Sequence, residues 1–145
     1  RAAQEVALNV RRAQSMSLSV TGVPIQGVGI QIPVAVGIRL SSDTSENERY
    51  FFFADQNSNG VYDISNERIE PDILLPSGIR IQSISGELIA PKGAHIIFYT
   101  PEATLRLTNA LGAPILNFID VVLAARSGAT KTVRVRMSGQ VTILP

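Results

Sequence analysis

The chain has 145 residues, 45% hydrophobic and 17% charged, with 13 basic and 12 acidic side chains and a formal net charge of +1. That length suits one domain with its own core, and the composition excludes a disordered tail; the balanced charge gives no bulk attraction to nucleic acid or anionic membrane. With no cysteine, disulfides, thiolate catalysis and cysteine-bound metal are excluded.

The first element is a helix expected over Ala2–Val20. Ala3, Val6, Val10, Ala13, Ser17 and Val20 recur at spacings of three and four, which sets them on one stripe. Small side chains in that stripe suit close approach, so Ala3, Val6, Val10, Ala13 and Ser17 form a candidate assembly face. The competing reading is an ordinary amphipathic helix packed on its own sheet. Both hold together if the N-terminal half projects. No Ser, Thr, Asp or Asn cap precedes Arg1, whereas Thr21-Gly22 reads as a helix end. The pattern therefore reads as the lower half of a longer helix.

From Gly22 to Gly37 the chain is punctuated by glycine and proline and reads as loop. Short β-branched and aromatic runs follow. Strands are expected at Val34–Leu40, Arg49–Ala54, Arg68–Leu75, Ile79–Ile84, Ile96–Thr100, Thr104–Leu107, Ile115–Leu123, Thr132–Met137 and Gln140–Leu144. Pro76-Ser77-Gly78 and Ser138-Gly139 are turn signals. No strand–helix–strand alternation appears, so pairing should be mainly antiparallel. The expected fold class is α+β: an N-terminal helix (residues 1–21) packed on a β-rich head (residues 22–145), in one sheet or two small ones, as a single domain.

Chemistry-bearing residues are few. His95 is the lone histidine, beside an apolar strand, and a general base would need a positioned partner. No nucleophile elbow, zincin motif or phosphate loop occurs. Asp55-Gln56-Asn57-Ser58-Asn59-Gly60 opens like a calcium loop, because oxygen side chains two apart can converge on one hard cation and Gly60 allows the turn. Asp55, Asn57, Asn59, Val61 (through its carbonyl), Asp63 and Glu67 are the candidate ligands for Ca2+. Glu67 stands one residue past the usual bidentate position, which Asn66 occupies. The alternative is a hydrogen-bonded, Asx-rich hairpin loop. Near the C-terminus lie Arg126, Lys131, Arg134 and Arg136. Arg134 and Arg136 alternate with Val133 and Val135 and share a strand face. That face is either solvated or a phosphate-binding stripe, with Lys131, Arg134 and Arg136 the candidate nucleic-acid residues.

Three patches together resemble one family. Arg11-Arg12-Ala13-Gln14-Ser15-Met16-Ser17-Leu18-Ser19 resembles the helix segment of type IV pilin-like proteins, of the minor-pilin and pseudopilin kind. Phe51-Phe52-Phe53-Ala54 running into Asp55-Gln56-Asn57-Ser58-Asn59-Gly60-Val61-Tyr62-Asp63 is similar to that group's strand-plus-loop signature, with Ser65-Asn66-Glu67 in place of a Gly-Glu step. Thr132–Val141 is similar to its closing hairpin. The resemblance implies a filament subunit, not an enzyme, with other pilin-like subunits as partners and no small-molecule substrate. It implies anchoring in the inner membrane through a hydrophobic segment ahead of Arg1, then a periplasmic or cell-surface filament of the pilus or type II secretion kind. Some minor pilins bind DNA through C-terminal basic residues, so an extracellular module recognising DNA or a surface glycan is the alternative function. A carboxylate-based hydrolase is a third.

Overall fold

The computed structural model describes residues 1–18, 22–25, 29–63, 67–69, 71–100 and 102–145, with backbone alone at 23, 24 and 31. Helix α1 spans Ala2–Leu18. The expected helix end at Val20 and Thr21, the Gly27-Val28 pair and the Ser65-Asn66 step lie outside the described residues. Eleven strands follow among the described residues: β1 (Val23–Ile25), β2 (Gly29–Gln31), β3 (Ala35–Leu40), β4 (Arg49–Ala54), β5 (Ile73–Leu74), β6 (Arg80–Ile84), β7 (Ala94–Tyr99), β8 (Thr104–Asn109), β9 (Phe118–Ala124), β10 (Thr130–Arg136) and β11 (Val141–Leu144).

The α+β expectation is corrected. One helix accounts for 13% of the structure and strands for 41%, in two main antiparallel sheets, so the domain is more β-rich than that class. One sheet has the order β5-β4-β3-β7-β8 and the other β11-β10-β9-β6. Two further expectations change. The stretch read as loop from Gly22 contains the β1–β2 ribbon, paired antiparallel with Pro24 opposite Ile30. The strand expected over Arg68–Leu75 shrinks to Ile73–Leu74 plus a single bridge from Arg68 to Phe53. Pro71 supplies no N–H to a ladder, which limits a long strand there.

Alternation within the strands explains the layers. Ile119, Val121 and Leu123 of β9 and Val133 and Val135 of β10 point inward, while Asp120, Val122 and Arg134 are only half-buried on the other face. The five-stranded sheet is covered on both faces. Val36, Ile38, Tyr50, Phe52, Ile96 and Phe98 join the main core, and Ala35, Phe51, Phe53 and Ile97 form a second, smaller cluster behind it. That is why Phe51-Phe52-Phe53 does not alternate: every position is buried.

Helix α1 lies against β3 and β7 of one sheet and β10 and β11 of the other. Ala3, Val6, Val10, Ala13 and Ser17 are all buried, and with Ala7 they line the face that meets the sheets. Asn9 Nδ2 donates to the Tyr50 hydroxyl at 2.8 Å, and the Arg12 guanidinium sits 5.1 Å from the centre of the Phe52 ring. The first half of the helix is thus packed as firmly as the second and does not project. As an outward assembly face, the stripe is corrected: its small side chains let the helix settle into its own sheets, not onto a neighbour.

Candidate functional site

The Asp55–Glu67 segment leaves the end of β4 and folds back over the second core cluster. Tyr62 is its hold on that cluster, packing edge-on against Phe51 and Phe53 with ring centres 4.7 and 5.7 Å away. Beneath it, His95 stands edge-on to Phe53 at 5.6 Å. Register explains the meeting: His95 pairs with Arg39 and Thr108 across neighbouring strands, on the face opposite the main core.

Asp55 is buried and accepts three hydrogen bonds, from the N–H groups of Asn59 (3.2 Å) and Gly60 (2.9 Å) and from the Tyr99 hydroxyl (3.2 Å). Asn57 and Asn59 each donate through Nδ2 to the same Asp63 oxygen, at 2.8 Å. Their side-chain carbonyls accept the N–H groups of Asn59 and Val61, at 3.3 and 3.1 Å, which are Asx turns in series. Gly60 has φ +78°, a left-handed conformation that costs an ordinary side chain about 1–2 kcal/mol. A side chain there would also press on the Arg106 guanidinium, which donates to the Tyr99 hydroxyl at 3.1 Å.

Glu67 closes the loop from below. Its buried carboxylate accepts the N–H of Gln56 at 3.1 Å and of Asp63 at 2.7 Å. Burial pushes its pKa up to about 7, helped by the negative charges of Asp63 and Asp55 and opposed by the two N–H donors. His95 is buried too. Its Nε2 accepts the Tyr62 N–H at 3.1 Å, and Nδ1 lies 3.2 Å from the Asn109 carbonyl. An accepting Nε2 leaves the proton on Nδ1, which donates to that carbonyl. Burial, then the charge of Arg39, lowers its pKa to about 4. The neighbouring Thr108 hydroxyl is buried and donates to the Gly60 carbonyl. The pair therefore holds the loop and faces protein rather than a substrate.

These contacts decide between the two readings of the loop. The oxygens of Asp55, Asn57, Asn59 and Glu67, and the Asp63 oxygen that the amides share, already face N–H or O–H donors within the protein. Asn57 and Asn59 present amide hydrogens, not oxygens, to Asp63. Val61 takes part through its N–H. Among the described residues, no group of three or more His, Asp or Glu side chains is arranged to hold a metal ion. The donor set does not fit Ca2+ in this arrangement, and the Asx-rich, hydrogen-bonded loop is what the geometry shows.

No family model, curated protein or solved structure matches this chain.

The C-terminal basic residues separate. Arg134 makes two parallel bonds to Asp120, at 2.7 and 2.8 Å, and its guanidinium lies 4.2 Å from the centre of the Phe118 ring. Arg136 reaches the same ring at 6.0 Å and is exposed. Lys131 has the parity of Val133 and Val135, so it lies on the other face of β10, at the strand's exposed start. The three do not form one stripe. A period-two reading of β10 alone carried the signal that splits Lys131 from the arginines. Nothing in the sequence pairs Asp55 with Tyr99 or Tyr62 with His95, because those partners meet only once β4 and β7 flank β3.

Proposed function

We propose that this chain is a structural subunit of a type IV pilin-like filament, of the pilus or type II secretion kind. The observation that carries the reading is the seating of α1. An N-terminal helix lies across both sheets of a β-rich head, its small-residue stripe buried and its opposite face open, with Leu8 65% and Leu18 52% exposed. With the three patches of resemblance, this supports a head built around a helix whose outer side meets its neighbours. Assembly then uses the Leu8 and Leu18 side of α1 rather than the Ala3–Ser17 stripe. The tying of His95, Thr108 and Glu67 into loop support favours a structural role over catalysis. Partners in this reading are neighbouring subunits, and the setting is extracytoplasmic, with inner-membrane anchoring before assembly.

The test is made in cells that produce the protein. The mature N-terminus is determined by mass spectrometry, and sheared filaments are probed for the chain. The expected result is a processed product with a hydrophobic segment ahead of Arg1, recovered with filaments and lost from them when Leu8 is replaced by Glu. A natural product that starts with Met near Arg1 and never sediments with filaments overturns the reading.

A further inference from the structure

At the end of the domain where α1 begins, a groove of about 160 Å3 runs between the first turn of the helix and the corner joining β9 to β10. Ala3, Ile79, Leu123 and Ala129 line its floor and walls, and Arg1 and Lys131 stand at its rim. No acidic side chain is among its lining residues. Arg80 is the backbone partner of Ala124, another wall residue, and Arg126 follows two positions later, so two more exposed cations belong to this corner. Arg1 faces Glu5 at 3.8 Å in a largely exposed pair, which holds little energy and leaves the cation available. Lys131, Arg80 and Arg126 have no ion pair among the described residues.

An apolar slot inside a cationic rim calls for an occupant with one apolar group and surrounding negative charge. Volume narrows the choice. An engineered cavity of ~150 Å3 accepts benzene, so this groove suits a single Phe or Leu side chain. A membrane lipid's acyl chain is several times too large. Nucleic acid would use the cations but leave the slot empty, and no aromatic side chain lines it for stacking. A bulky apolar anchor in a pocket, ringed by charges that steer encounter, is how small protein interfaces hold their partners. We propose that this groove binds an acidic segment of a partner protein that inserts one Phe-sized side chain. The inference stands apart from the filament reading.

The probe is the synthetic peptide DEDFEDE, titrated into 15N-labelled protein and followed by NMR. Shifts confined to residues 1–3, 79, 123–125 and 129–131 are expected. The peptide DEDAEDE should bind about tenfold more weakly, since it loses the anchor. Lys131→Glu should weaken DEDFEDE about fivefold at low salt, and Lys131→Gln by less. Both sites of change are exposed, and unchanged melting temperatures confirm folding. Equal binding of the two peptides, shifts elsewhere, or no binding at millimolar peptide overturns the proposal. So does Lys131-dependent binding of DNA or phosphatidylglycerol vesicles without peptide binding. Lys131-dependent self-association in sedimentation overturns it in favour of a second copy of this chain.

Discussion

The buried carboxylate of Asp55 holds the N–H of Gly60, five residues on, at 2.9 Å. This bond, with those from Asn59 and Tyr99, pins the start of the loop to its far side and to β7. Replacing Asp55 by Ala strands three donors at once. Each buried unsatisfied donor costs about 1–3 kcal/mol, less where water enters, so a loss of about 3 kcal/mol is expected. The urea midpoint measures it. A change below about 1 kcal/mol would mean that the carboxylate does not organise the loop.

Calcium should leave the protein unmoved. A ligand that binds only the folded state raises the melting temperature. Since the loop's oxygens already face internal donors, millimolar Ca2+ against chelator should shift the midpoint by less than about 1 °C. A rise of several degrees, abolished by Asp63→Asn, would show that the amides of Asn57 and Asn59 rotate to make a site.

The pH dependence carries two opposing signatures. His95 titrates near 6.5 when unfolded and near 4 when folded, so unfolding takes up a proton in that window and stability falls as pH drops through it. Glu67 titrates near 4.5 unfolded and near 7 folded. Unfolding then releases a proton, so stability falls as pH rises through that window. Between pH 4.5 and 6.5 the two offset. In Glu67→Gln the His95 contribution stands alone, and the melting temperature should climb by several degrees across that range. Superimposable profiles for the two proteins would refute the assignment.

Val10 has no exposed surface. Val10→Ala removes two buried methyl groups and leaves a cavity, so a loss of about 2 kcal/mol is expected in calorimetry. A stripe waiting for an external partner would give a change within about 0.5 kcal/mol.

Arg134→Ala should cost about 1 kcal/mol, because its two bonds to Asp120 lie on a half-exposed sheet face. Arg136→Ala should stay within about 0.5 kcal/mol, since only an edge contact with Phe118 is lost. The ordering, read from denaturation midpoints, is the test: equal costs would contradict the separation of the two residues.

The sequence by itself determined the single helix, the antiparallel habit and the position of nearly every long strand. Spacings of three and four from Ala3 to Ser17, and period two through Thr132–Arg136, are local properties that any packing must respect. Turn residues at Pro76–Gly78 and Ser138-Gly139 fixed where strands reverse. The short pairings escaped because β1, β2 and β5 have no periodicity of their own and exist only against a neighbour. Tertiary structure alone decided what the patterns face. The helix stripe is the same whether it meets its own sheets or another subunit, and only the depth of Val6 and Val10 chooses. Likewise, Asp55, Asn57, Asn59 and Asp63 spell a cation loop or an Asx-turn loop equally well. Their choice follows from Tyr99, His95 and Glu67, which are brought beneath the loop by strand order and give its oxygens and N–H groups partners inside the protein.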